Sequence, residues 1–129
     1  MILCDAGPLV ALALPEDQAH QAVVAVWQEL NEPIVTTWVC VGEAMHLVGS
    51  RGHPVLWAYL AGEMEFYDPT PVTARMRELM RKYADTPMDL GDASLVAAAE
   101  ALGLTRVLTL DQHFHAYRIN DRRPFDVVP

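Results

Sequence analysis

Apolar positions along the chain fall into short continuous runs and helical stripes that alternate. Met1-Ile2-Leu3-Cys4 is an unbroken apolar run ending on Asp5, as expected of a strand covered on both faces. Ala6-Gly7-Pro8 turns the chain into a short helix over 9–14, with Pro8 suited to a first helical turn. Pro15-Glu16-Asp17 breaks that helix and starts another, whose stripe is Val23, Val26, Trp27 and Leu30. Asn31-Glu32-Pro33 is a turn and Ile34-Val35-Thr36 a second strand. Thr36 or Thr37 caps a helix to about Val48, Gly49 to His53 reads as a loop, and Pro54 to Ala61 as a further helix. Met64 to Tyr67 is a third strand closed by Asp68-Pro69. Pro71 opens a helix through Tyr83, with Val72, Met76, Leu79, Met80 and Tyr83 inward and the bases outward.

The next stretch, Met88 to Gly103, carries the strongest local signals. Asp89 is placed as an N-cap, its side chain free to accept from the first-turn N–H groups. Asp92 falls at N3, where the helix dipole favours an anion. Leu95, Val96, Ala99 and Leu102 continue its stripe at three- and four-residue steps, and Gly103 is a C-cap. A strand from Arg106 to Leu110 follows and ends on Asp111, and Phe125 to Val128 forms a final edge strand. Strands alternating with helices predict a mostly parallel sheet wrapped on both faces, with ligands at the strands' carboxyl ends.

Length and composition narrow this picture. A chain of 129 residues, 52 % hydrophobic and 20 % charged, is expected to form one domain over 1–129 with a real core. No apolar run reaches ~18 residues, and the start lacks a basic n-region, so neither a membrane span nor a leader is expected. The expected location is cytoplasmic. Cys4 and Cys40, each among apolar residues, then read as buried thiols and not a disulfide. The net charge of −8, from 17 acids against 9 bases, disfavours non-specific nucleic-acid binding. The bases are uneven: Arg75, Arg77, Arg81 and Lys82 share one segment, Arg118, Arg122 and Arg123 another. The first group forms a helix face that is solvated or tracks phosphates.

Four acids stand in otherwise apolar surroundings. Asp5 is the only charge in the first fifteen residues, and Glu43 is the only ionised side chain between Ile34 and Ser50. Asp5 and Asp111 end strands, Asp92 tops the helix entering the second of these, and Glu43 lies on the helix after Ile34-Val35-Thr36. All four can meet at one sheet edge; the alternative for Glu43 is a helix end that simply faces water. Clustered carboxylates repel and persist by sharing protons or binding cations. Four hard oxygen donors with no thiolate or histidine pair suit Mg²⁺ or Mn²⁺, which bind substrate phosphates and activate water. His113 and His115, two residues apart, do not share a helix face and make a poor zinc pair.

The ordered set resembles the PIN-domain ribonucleases, and within them the VapC-type toxins of bacterial toxin–antitoxin pairs. The resemblance rests on Asp5-Ala6-Gly7-Pro8-Leu9-Val10-Ala11-Leu12, Glu43 after Thr36-Thr37, Asp89-Leu90-Gly91-Asp92-Ala93-Ser94-Leu95, and Leu108-Thr109-Leu110-Asp111 with Phe114. It covers nearly the whole chain. It implies a three-layer α/β/α domain and Asp5, Glu43, Asp92 and Asp111 as catalytic metal ligands for Mg²⁺ or Mn²⁺. Asp89 would be an accessory acid or a cap, and Thr109 would lie near the site. It further implies an endoribonuclease that cleaves structured RNA with metal-activated water, forms a homodimer and is held by a cognate antitoxin. Two positions depart from that pattern. Gly7 stands where the family often has a hydroxyl or amide, and Gln112-His113 where it often has bases.

The contrasting class is a non-catalytic Mg²⁺-binding α/β regulatory or interaction domain. A receiver-like module would want an acid pair beside the first strand and a Lys near the last strand end, and no Lys follows Lys82. A phosphatase built on a first-strand Asp would want an acid where Gly7 stands. An inactive PIN-like partner domain keeps every residue named above and is separated by an RNase assay.

Overall fold

The computed structural model describes residues 1–62 and 64–129. The elements follow in the order β1 (Ile2–Cys4), α1 (Ala6–Ala13), α2 (His20–Glu29), β2 (Ile34–Thr36), α3 (Trp38–Leu60) and β3 (Met64–Phe66). After these come α4 (Thr73–Lys82), α5 (Leu90–Leu102), β4 (Arg106–Leu108), β5 (Arg118–Ile119), β6 (Arg123–Pro124) and β7 (Asp126–Val128). Five strands form a sheet in the order β3-β2-β1-β4-β7, and every pairing in it is parallel. Leu3 stands opposite Val35 on one side and Val107 on the other. β5 and β6 form a separate antiparallel pair.

The strand order explains the layering. The chain steps from β1 to β2 to β3 in one direction, then returns across the sheet to β4 on the far side of β1. Right-handed crossovers place helices on opposite faces when that direction reverses. So α1, α2 and α3 pack together, and α4 packs on α5. The reversal also opens a crevice between the carboxyl ends of β1 and β4, the usual ligand position in such sheets.

The core is built from β1, β4 and α5. Ile2, Leu3, Cys4, Val107 and Leu108 are fully buried, as are Leu95, Val96, Ala98 and Ala99. Helix α5 is buried on all sides from Gly91 to Ala99, which accounts for its small apolar side chains. Its ends are as the sequence predicts: Asp89 and Asp92 form a reciprocal capping box, and Gly103 closes the helix at φ 68°. Cys4 and Cys40 are both buried free thiols.

Several expectations change. The break expected over Gly49 to His53 shrinks to one residue: only Gly49 leaves helical geometry (φ 66°, ψ −178°), and α3 is two helical segments joined across that kink. A glycine supplies that conformation without a side-chain clash. His53 Nε2 lies 2.9 Å from the Met45 carbonyl oxygen across the break. The helix after Pro15 starts later, at His20, and α4 starts at Thr73 after a 3₁₀ turn over Thr70–Val72. Met80 is exposed, so the inward stripe of α4 is Met76 and Leu79. The strand from Arg106 stops at Leu108, because β1 and β7 offer no partner beyond Cys4 and Val128. The bases of α4 do not all face solvent. Arg75 makes two bonds to Glu100 (2.8 and 2.9 Å) and, with Lys82, holds Asp121.

Candidate functional site

Asp5 follows β1 directly and N-caps α1, its Oδ1 accepting from the Ala6 N–H at 2.8 Å. Its own N–H donates to the Leu108 carbonyl at 3.0 Å, and its Oδ2 accepts from the Thr109 hydroxyl at 2.8 Å. The Thr109 oxygen in turn accepts from the Asp111 N–H at 3.0 Å. One hydroxyl thus ties the end of β1 to the turn after β4.

Asp111 stands three residues beyond β4, where it caps the 3₁₀ turn Gln112–His115. Its Oδ1 accepts from the His113 N–H at 2.9 Å, and His113 Nδ1 lies at the same distance. Asp92 sits in the first turn of α5. Its N–H donates to Asp89 Oδ1 at 2.8 Å, and its Oδ2 accepts from the Asp89 N–H at 3.3 Å and the Tyr117 hydroxyl at 3.2 Å.

These elements bring the predicted acids into one cleft of about 230 Å³, lined by Asp5, Glu43, Asp89, Asp92 and Asp111 with Leu47 and Leu110 at its mouth. One carboxylate oxygen from each of Asp5, Asp92 and Asp111 lies within 4.8 Å of the others. Glu43 stands outside that trio, an exposed residue at the rim. A β-carbon on Gly91 would meet Glu43 Oε2 at 3.2 Å and Asp89 Oδ1 at 3.3 Å. The bare glycine therefore lets both carboxylates close on the start of α5. Beneath the cleft, the hydroxyls of Thr37 and Ser94 bond at 2.7 Å and Ser94 donates to the Gly91 carbonyl, joining α3 to α5.

The cluster strains its own charge. Asp92 is pushed up to about 8, first by burial and then by the charges of Asp89 and Asp5. Burial also raises Asp5, against the lowering effect of the Thr109 and Ala6 donors. Glu43 is raised by desolvation and by Asp89, Asp5 and Asp111. Cys40 is pushed up to about 12 by burial and the Asp5 charge, so it remains a thiol. Burial beside Asp92 raises the Tyr117 phenol, which keeps its proton.

Among the described residues no Lys or Arg pairs with any of the five acids; the ion pairs of Arg75, Lys82 and Arg106 lie elsewhere. Converging hard oxygens, raised acids and the lack of a paired base suit a divalent cation of the magnesium class. A larger hollow of about 470 Å³ lies at the other end of the sheet, beside Asn31, Pro33 and Met64. Its Glu32 is committed to Arg106.

Tyr117 was not legible as a site residue. It lies three positions after Phe114, an aromatic spacing that reads only as packing, and its ring does pack edge-on against Phe114 and Tyr83. The bond to Asp92 is long-range and leaves no trace in local spacing.

Among solved structures, the chain is similar to VapC20 of Mycobacterium tuberculosis, described as a sarcin-ricin loop cleaving toxin, at TM-score 0.82 and 19 % identity. That match covers 96 % of this chain and all of the other. It is also similar to a chain of FitAcB from Neisseria gonorrhoeae, at TM-score 0.58 and 26 % identity, over 86 % of this chain and 88 % of that one. No curated protein matches by sequence. The family model of the PIN domain matches residues 2–120, nearly the whole chain, and the protein belongs to the PIN domain family.

Proposed function

We propose that this protein is a divalent-cation-dependent endoribonuclease and the toxin of a toxin–antitoxin pair. The observation that carries this is the convergence of Asp5, Asp92 and Asp111 at the crevice between β1 and β4, with no Lys or Arg among the described residues paired to them. In this reading Asp5, Asp92, Asp111 and the rim residue Glu43 are the catalytic ligands for Mg²⁺ or Mn²⁺, and residues 1–129 act as one unit. When bound, the cation lowers the pKa of a water and offsets charge on the phosphodiester.

The chain's own residues set that chemistry up. The cap at Ala6 and the Thr109 hydroxyl hold Asp5, and the capping box holds Asp92. Thr109 acts as an accessory by fixing Asp5 and the start of the Asp111 turn. Asp89 serves as a cap and adds negative charge. Leu47 and Leu110 at the mouth give an apolar margin beside the acids.

The proposed substrate class is structured RNA, a reading supported by the family and by the sarcin-ricin loop cleaving toxin that VapC20 is described to be. The same reading includes a cognate antitoxin, a homodimer and a cytoplasmic location. The test is an RNA-cleavage assay on protein freed of any co-purifying partner. Cleavage is expected with Mg²⁺ or Mn²⁺, to be lost in EDTA and restored by metal. Cleavage that persists in EDTA and in Asp92→Asn contradicts the assignment, and its absence under all conditions favours a non-catalytic domain.

A further inference from the structure

We infer that Tyr117 is a positioning residue for the acid cluster, acting through Asp92; the inference rests on the metal-site reading above. The Tyr117 side chain is fully buried, yet its hydroxyl reaches Asp92 Oδ2 at 3.2 Å. The same oxygen accepts from the Asp89 N–H at 3.3 Å. Two donors therefore occupy Oδ2, while among the described residues no donor bonds Oδ1. A carboxylate with one oxygen anchored and the other free presents a lone pair in a fixed direction. Ligating carboxylates depend on such outer partners for orientation.

The route by which Tyr117 arrives there matters. Asp111 caps the 3₁₀ turn, and the Tyr117 N–H donates to the His113 carbonyl at 3.2 Å as the turn closes. The ring is then gripped edge-on by Tyr83 from α4's end and by Phe114, with centroids 5.1 and 5.0 Å away. Tyr83 is itself fixed, its hydroxyl accepting from the Arg118 N–H at 3.0 Å. The short segment 111–117 thus delivers one acid to the cleft and orients a second from another element. A phenol donates one proton, so it suits the oxygen of a carboxylate whose other oxygen is turned to a cation. A purely packing role at this position would be met by Phe.

The test is Tyr117→Phe, which removes the hydroxyl and keeps the ring. Mn²⁺ binding is measured directly by titration calorimetry on metal-free protein, alongside melting temperature and the Mg²⁺ dependence of RNA cleavage. Losing one such hydrogen bond should weaken Mn²⁺ binding about five-fold or more. The maximal rate at saturating Mg²⁺ should fall less than the rate at limiting Mg²⁺. In an Asp92→Asn background the same substitution should leave Mn²⁺ binding unchanged. A variant that folds and binds Mn²⁺ like the wild type overturns the role of Tyr117 while the metal site stands. Wild-type protein that binds no Mn²⁺ overturns the metal site, and this inference with it. If Tyr117→Phe does not fold, the wild type decides by NMR. A slowly exchanging Tyr117 hydroxyl proton whose resonance moves on addition of diamagnetic Mg²⁺ supports the role; one unmoved by Mg²⁺ overturns it.

Discussion

The Thr109 hydroxyl donates to Asp5 Oδ2 at 2.8 Å across the gap between β4 and β1. Both groups are buried, and the same hydroxyl oxygen receives the Asp111 N–H. A hydrogen bond to a charged group is worth about 1.5–3 kcal/mol, more than a neutral one. Thr109→Val, nearly the same shape, should lower stability by ~1–2 kcal/mol at neutral pH and cut cleavage at least about ten-fold. Thr109→Ser should stay close to wild type. Denaturant melts and an RNA-cleavage assay check both, and equal activity in Val and Ser would show that the hydroxyl does nothing.

Asp89 both caps α5 and charges its neighbour. Asp89→Ala should cost about 1 kcal/mol, the usual loss of an N-cap. Asp89→Asn keeps an acceptor for the Asp92 N–H and removes the charge that helps push Asp92 up. Its metal-free melting temperature should therefore match or exceed wild type. Equal losses in Ala and Asn would mean the charge itself stabilises the helix start.

The raised acids set a direction for pH. Asp92, Asp5 and Glu43 all titrate higher in the folded protein than their ordinary values. The folded state then binds more protons than the unfolded one, so unfolding free energy falls as pH rises. The stability is complete below about pH 4, where unfolded carboxyls are protonated, and declines towards the folded Asp92 value. Metal-free denaturant melts from about pH 5 to about pH 8, above the range where the lowered acids Asp68 and Asp121 act with the opposite sign, should show that decline. A flat or rising curve would contradict the raised titration of Asp92, Asp5 and Glu43.

How much of this was legible depended on range in sequence. The capping box of Asp89 and Asp92 and the Gly103 cap are local, so residue identity alone located α5. The run before Asp5 located β1 for the same reason. Gly49-Ser50-Arg51-Gly52-His53-Pro54 carries every loop signal, yet only Gly49 bends, because packing of Val48, Gly52 and Leu56 holds the rest helical. The end of β4 depended on where β1 and β7 stop, and the Tyr117 bond on a turn folding back to α5. Both are tertiary facts. Arg75 reads as a surface base because its partners Glu100 and Asp121 lie 25 and 46 residues away.

The proposed homodimer has candidate contact residues on α3. Trp38, Leu47, Val55 and Trp57 on α3 are exposed, Trp38 at 52 % and Trp57 at 54 %. Large apolar side chains left exposed in this way are the ones a second copy would cover. Trp57→Glu should shift sedimentation of the metal-free protein towards monomer without changing its far-UV spectrum. A wild type that sediments as a monomer at high concentration contradicts the dimer.

In the proposed reading these acids form a cation site. Thermal melting of wild type and Asp111→Asn, each with and without Mg²⁺, tests it most directly. The amide oxygen this substitution leaves can still accept from the His113 N–H, while the charge that raises Asp5, Glu43 and Asp92 is gone. Without metal, Asp111→Asn should melt at or above the wild-type temperature. Mg²⁺ should stabilise the wild type by mass action and the variant much less. A variant that melts several degrees lower without metal, with both proteins gaining equally from Mg²⁺, would show that the cluster is structural and that no cation site is there.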